Sequence, residues 1–275
     1  MSKSMHIRAV LPHVADARTS RVIYAPLGSG KAHHTPVQLF FTHVTGEVPA
    51  DIQSEILEKL PEETRATLKR FTNPARYQEA LLGRGLAQLI AAMVGEKLIE
   101  EPPYSPRLTN SVPVSAHPMV TIAHTSHEGD TWVAAMPAPD GGFGLAAVDV
   151  EVMRPRDNIE EIVKHSFAPE VAERILATMA TLASDEDRLA LFYRVWGEHE
   201  CAVKLNRGKN TFRVGLCANA WAVKNIYTGE PLVTSTYAIG NTLFTLVVDH
   251  ESVTSEMDWI PVNVDRIALY IHALA

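Results

Sequence analysis

The sequence predicts an α+β fold of two similar halves, a pseudo-twofold pair in which each half is a small antiparallel sheet packed on a long helix. Three observations predict it. Each half carries one long segment with apolar residues at helical spacing. Short runs rich in β-branched and aromatic residues surround both segments. The turn-forming stretch Pro137-Ala-Pro-Asp-Gly-Gly142 interrupts the chain near its midpoint. The N-terminal half is expected over 1–140 and the C-terminal half over 143–275, with the linker at about 137–142. No clear sequence repeat accompanies the pairing.

The elements follow in order. Val22-Ile-Tyr24 reads as a short strand, and Val37 to Val44 as a longer one. Ile52, Ile56, Leu57 and Leu60 mark a helix, and Pro61-Glu-Glu opens another turn. Asn73 is suited to cap the longest helix of the first half, with Pro74 at its first position and Gly95 at its end. Leu81, Leu82, Leu86, Leu89, Ile90 and Met93 give that helix a wide apolar stripe. Met119–Ala123 and Thr131–Met136 are strands around a polar loop, His124 to Asp130. In the second half, Phe143–Val150 reads as a strand and Pro169 opens a helix to about Leu182. Ser184-Asp-Glu-Asp187 resembles a capping box for a further helix that ends near Gly208. Phe212–Leu216, Leu232–Tyr237 and Thr242–Val248 are strands, and Arg266–Ala275 is a strand or a short helix.

The chain has 275 residues and is 46% hydrophobic and 21% charged, which suits a globular protein with a sizeable core. A formal net charge of −7 argues against a broad nucleic-acid-binding face, although it leaves room for a local basic pocket. The two cysteines, Cys201 and Cys217, form no CxxC pair. No apolar run reaches the roughly 18 residues of a membrane span, and no apolar stretch follows a basic start at the N-terminus. The expectation is a cytoplasmic monomer without nucleic-acid or membrane partners.

Few residues suggest chemistry. Asp149 and Glu151 lie two apart on a predicted strand, so they share a face at about 6.5–7 Å. Two such carboxylates repel unless a cation lies between them, and all-oxygen ligands favour magnesium or manganese. For this doublet taken alone, two solvated acids at a strand end are the plainer reading. Trp196, Glu200 and Lys204 are spaced i, i+4, i+8 and share a helix face, which also describes an ordinary Glu–Lys surface pair. His124, with Thr125 beside it, could hold a phosphate at a strand end, or be a loop residue. Gly28-Ser-Gly-Lys31 lacks the glycine spacing and the following Ser/Thr of a phosphate loop, and no ligand cluster accompanies His33-His34.

Together the order and spacing resemble the Sfp-type 4′-phosphopantetheinyl transferase family. Its Ser-His-Ser-type strand end, Gly-[Ile/Val]-Asp-[Ile/Val]-Glu strand and Trp-x-x-Lys-Glu-[Ala/Ser]-x-x-Lys helix correspond to Ala123-His124-Thr125, Ala147–Glu151 and Trp196–Lys204. Arg70-Phe71, Leu81-Leu82-Gly83 and Tyr104–Leu108 resemble further motifs, over about residues 38–250. The resemblance implies two similar halves with coenzyme A in the cleft between them. It implies transfer of phosphopantetheine to a serine of an acyl or peptidyl carrier protein in fatty-acid, polyketide or nonribosomal-peptide synthesis. By position, Asp149, Glu151 and Glu200 would bind Mg2+, Glu200 or a water it holds would act as base, Lys204 would steady the phosphate and help the leaving group, and His124 would hold pyrophosphate. The sequence also departs from the pattern. His199 replaces the lysine before the motif glutamate, Ala123 replaces a serine, Ser105 replaces a lysine, and Thr64, Thr67 and Glu79 stand where relatives often carry basic or hydroxyl residues for the nucleotide. Arg65, Lys69, Arg76, Arg84 and Arg107 are the basic residues that could compensate, with Thr125 as a further contact. Leu205, Arg207, Lys209, Phe212 and Arg213 are expected to dock the carrier, and a basic helix C-terminus would read the same way. The lost basic positions motivate an alternative: a degenerate homologue that binds carrier or coenzyme A without transfer.

Overall fold

The computed structural model describes residues 37–93, 98–101, 105–108, 120–137, 145–206, 210–217, 220–248 and 257–274. The expected linker, Val22–Tyr24, Gly28–Lys31, Gly95 and Arg207–Lys209 all include residues outside these ranges. The fold is α+β. Strand β1 (Val37–Thr45) leads to helices α1 (Ala50–Lys59), α2 (Glu62–Leu68) and α3 (Pro74–Met93). Two short strands, β2 (Leu98–Glu101) and β3 (Ser105–Leu108), precede the hairpin of β4 (Val120–His127) and β5 (Asp130–Pro137). The second half begins with β6 (Ala146–Val152), followed by α4 (Ile159–Ser166), α5 (Pro169–Thr181) and α6 (Asp185–Asn206). Strands β7 (Phe212–Cys217), β8 (Ala220–Asn225), β9 (Val233–Ile239), β10 (Thr242–Val248) and β11 (Met257–Pro261) lead to the final helix, α7 (Ile267–Leu274).

The main sheets are β11-β1-β5-β4 and β6-β10-β9; β2-β3 and β7-β8 are separate hairpins. All pairings are antiparallel except β1 with β11, which is parallel. The segment 257–274 therefore returns to the first sheet, and α7 packs beside α3 and α1. Side chains alternate across each strand, so successive residues enter different cores. Phe40, Val133 and Ala135 join Leu82, Leu86 and Ile90 of α3. Leu39, Phe41, Ala134 and Met136 face Val148, Val150, Phe244 and Leu246 of the second sheet. Ala147 and Val247 face α6, with Phe192, Val195 and Ala202. The layers thus run helix, sheet, sheet, helix, and each large buried side chain contributes roughly 1.5–3 kcal/mol.

Both long helices lie close to their sheets at a glycine. A Cβ on Gly83 would lie 2.8 Å from Ile122 Cγ2, and one on Gly197 2.8 Å from Thr245 Cβ. Side-chain caps start both helices. Asn73 Oδ1 accepts from the Arg76 amide at 3.1 Å, and Ser184 Oγ accepts from the Asp187 amide at 3.0 Å. The Ser184 cap is not a full capping box, because Asp187 accepts the Ser184 hydroxyl at 2.6 Å rather than a backbone amide.

Several local expectations change. The polar stretch from His124 is not a loop: β4 continues to His127, and the turn is only Glu128-Gly129, at φ 50° and 89°. Two consecutive positive φ values suit a two-residue hairpin, and glycine supplies the second without strain. Polar residues on β4 reflect an edge strand with one open face, not a break in pairing. Helix α4 and strands β2, β3, β8 and β11 are additional, and the C-terminal segment is helical.

Candidate functional site

Strand β6 and helix α6 place the acidic residues. Ala147, Asp149 and Glu151 share the face that α6 covers, while Val148 and Val150 turn to the inter-sheet core. Lys204 Nζ donates to Asp149 Oδ1 and to the Val148 carbonyl, both at 2.8 Å. Trp196 Nε1 donates to Glu151 Oε1 at 3.1 Å. Glu200 lies between those residues on α6, close enough to interact electrostatically with Asp149, Glu151 and Lys204. Gly197 and Cys201 form the seam against β10; Cys201 Sγ donates to the Thr245 carbonyl at 3.5 Å. Burial pushes the Cys201 thiol up, which makes it a packing group rather than a nucleophile.

The electrostatics show crowded negative charge. Burial, then the charge of Asp149, pushes Glu151 up to about 7, although Trp196 and Arg156 oppose the shift. Burial and Asp149 also raise Glu200. Burial works against the Lys204 ammonium, but Asp149 and Glu200 hold its pKa above the usual lysine value. Three carboxylates thus face one ammonium. Among the described residues, no group of three or more His, Cys, Asp or Glu side chains stands in a metal-holding arrangement. Lys204 and Trp196 occupy oxygens of Asp149 and Glu151 instead. The donor set nonetheless fits a hard divalent cation: every candidate ligand is a carboxylate, and the ammonium leaves negative charge uncompensated.

His124 is inside β4, paired with Val133, and not after its end. It turns toward α3 along with Ile122 and Ser126, and Thr125 points to the other face. His124 Nδ1 lies 3.1 Å from Glu79 Oε2, and Arg76 NH1 donates to the same oxygen at 2.8 Å. Glu79 is only 2% exposed. Burial alone would raise its carboxyl, but hydrogen bonds from His124 and Ser126, the His124 charge and Arg76 lower it to about 2. This network escaped the sequence because Glu79 stands out only once β4 lies against α3.

The two halves meet where β4 runs beside β6. The Val148 amide donates to Thr121 Oγ1 at 3.4 Å, and Arg154 NH1 donates to His127 Nδ1 at 3.1 Å. Both contacts join residues 27 apart in the chain, so the strands run in the same direction and position 124 is level with position 151. The Ser-His pair at the true strand end is Ser126-His127. Its signal in the sequence is the Glu-Gly turn that follows it.

Other expected residues are scattered. Arg65 NH1 donates to the Leu57 carbonyl, and Arg84 NH1 to the Ala80 carbonyl, each at 3.5 Å. Arg107 lies on β3, opposite Ile99. Thr64 is buried, which removes it from any open surface. His199 lies between the rings of Phe167 and Trp196, with centroids at 4.8 and 5.6 Å, and burial lowers its pKa. The expected docking stretch also changes: Leu205 and Phe212 are buried in the α6 core, so its apolar side chains point inward, while Arg213 stays exposed. Among the described residues, no helix is long and apolar enough to cross a membrane.

No protein-family model matches this chain. Over 91 residues it is 33% identical to the 4′-phosphopantetheinyl transferase AcpT of Salmonella typhimurium, a match that covers 32% of this chain and 41% of that relative. The chain is therefore similar to a phosphopantetheinyl transferase over about two-fifths of that relative's length. The similarity does not single out the Sfp type.

Proposed function

We propose that this chain transfers the 4′-phosphopantetheine arm of coenzyme A to a serine of an apo acyl or peptidyl carrier protein. The reading is supported most by one observation: α6 lays Trp196, Glu200 and Lys204 against Asp149 and Glu151 on one face of β6. Two weak sequence signals far apart in the chain thereby become one charged cluster. The similarity to AcpT agrees with it.

In this reading Asp149, Glu151 and Glu200 would hold Mg2+, which would offset charge developing on the pyrophosphate. Glu200 accepts the proton of the carrier serine, whose Oγ attacks the phosphorus bearing the pantetheine arm. The phosphoanhydride bond breaks, and adenosine 3′,5′-bisphosphate leaves. Lys204 stabilises negative charge on the leaving phosphate. His124 donates Nδ1–H to Glu79, which leaves Nε2 as its ligand-facing nitrogen. The halves expected at 1–140 and 143–275 supply the two walls of the coenzyme A cleft, except that 257–274 packs with the first sheet, and the protein acts as a monomer of Sfp type.

A second reading, binding without transfer, draws on the Glu79 network: a buried carboxylate occupies both His124 and Arg76, two of the expected phosphate-binding cations. The test that separates the readings incubates the protein with Mg2+, coenzyme A and several apo-carriers, and weighs the carriers by mass spectrometry. Transfer adds the phosphopantetheine mass, and Glu200→Gln removes that gain while the protein stays folded. Magnesium-independent coenzyme A binding with no carrier gaining mass would favour the second reading.

A further inference from the structure

The segment Arg154-Pro-Arg156 leaves the end of β6 just beyond Glu151. Its two guanidinium groups are held by the protein, yet neither forms an ion pair with a carboxylate among the described residues. Arg156 Nε donates to Tyr193 Oη at 2.8 Å, and its guanidinium lies over the Tyr193 ring, 5.6 Å from the centroid. Tyr193 is fully buried, and its hydroxyl also donates to the Arg154 carbonyl at 3.2 Å. Pro155 fixes the backbone angle between the two arginines. Arg154 NH1 donates to His127 Nδ1, and the other ring nitrogen, Nε2, lies 3.6 Å from Glu128 Oε1.

Arg154 and Arg156 lie two positions apart on one short segment, and among the described residues no ion-paired carboxylate separates them. An anion would. The guanidinium fork matches phosphate oxygens with paired donors, and an arginine fixed through Nε presents its terminal N–H groups without further ordering. The neighbouring Glu151 lies within electrostatic reach of Arg156, so the candidate cation site and the guanidinium pair alternate in charge along one surface. A ligand with two phosphoryl groups would complement that alternation.

We propose that Arg154 and Arg156 form a phosphate-binding subsite at the end of β6. The choice of coenzyme A as ligand rests on the function proposed above; the anion chemistry does not. The phosphate is either the 3′-phosphate or the pyrophosphate of the donor. Calorimetry with coenzyme A and dephospho-coenzyme A, for the wild type, Arg154→Ala and Arg156→Lys, tests this. Each variant should weaken coenzyme A binding by about tenfold or more. A smaller loss with dephospho-coenzyme A assigns the 3′-phosphate, and an equal loss assigns the pyrophosphate. Tyr193→Phe, which removes the hydroxyl that anchors Arg156, should fall between wild type and Arg156→Lys. Wild-type affinity in Arg154→Ala and Arg156→Lys overturns the subsite. If the wild type binds no coenzyme A, the functional reading fails instead. The same variants are then titrated with inorganic pyrophosphate, where undiminished binding overturns the subsite and weakened binding upholds it.

Discussion

Replacing Gly197 with alanine adds one methyl group at a very tight contact between α6 and the second sheet. That methyl would lie 2.8 Å from Thr245 Cβ and closer still to Thr245 Oγ1. Carbon atoms in contact prefer about 3.5–4.0 Å, so helix and strand must separate by roughly 1 Å. Thr245 cannot swing aside, because it is 1% exposed and central in β10, paired with Asp149 and Thr236. Overpacking of this kind costs about 1–3 kcal/mol, while removing a glycine from a helix interior returns about 1 kcal/mol. With Thr245 held in mid-sheet the cost falls in the upper part of that range, about 2–3 kcal/mol, so the expected net loss is about 1–2 kcal/mol, or roughly 2–8 °C in Tm for a chain of this size. The shift also carries Lys204 and Trp196 away from Asp149 and Glu151, whose bonds at 2.8 and 3.1 Å tolerate little extension. Urea unfolding of Gly197→Ala, Thr245→Ala and the double variant measures the coupling. The double variant should lose less than the two single losses added together. If Gly197→Ala is as stable as the wild type or more stable, helix propensity outweighs packing and the close-contact argument is wrong.

Three further outcomes are expected. Glu79 is held near 2 instead of 4.5, so its contribution of about 3 kcal/mol is complete above pH 4.5 and disappears as the pH falls toward 2; Glu79→Gln should lose stability at neutral pH and flatten that part of the acid-unfolding curve. Asp149→Ala leaves the Lys204 ammonium with the Val148 carbonyl and the nearby Glu200 charge and should cost about 2–3 kcal/mol in denaturant unfolding, whereas the paired change Asp149→Leu with Lys204→Met should recover part of that loss. Magnesium should raise the unfolding temperature of the wild type, by roughly 2–3 kcal/mol of stabilisation at a hundredfold excess over Kd, and leave Asp149→Asn almost unmoved; equal shifts in both would remove Asp149 from the ligand set.

The sequence by itself determined the periodic features. Apolar residues every three or four positions marked α3 and α6, runs of β-branched and aromatic residues marked β1, β5 and β10, and Asn73 with Pro74 marked a helix start. These signals are local, so they survive without tertiary context. The i, i+2 pair at Asp149 and Glu151 and the i, i+4, i+8 row on α6 were also legible, because each shares one face of its own element. Their meeting was not. Whether Lys204 reaches Asp149 depends on how closely α6 lies on β10, which Gly197 and Thr245 decide across 48 positions of chain. The end of β4 is not legible in the sequence because a polar run looks the same in a loop and on an edge strand; the two positive φ values at Glu128 and Gly129 distinguish them. Tertiary structure alone decided that His124 belongs to Glu79 while His127 belongs to Arg154. Adjacent strand positions face opposite ways, and partners come from whichever helix or strand packs there.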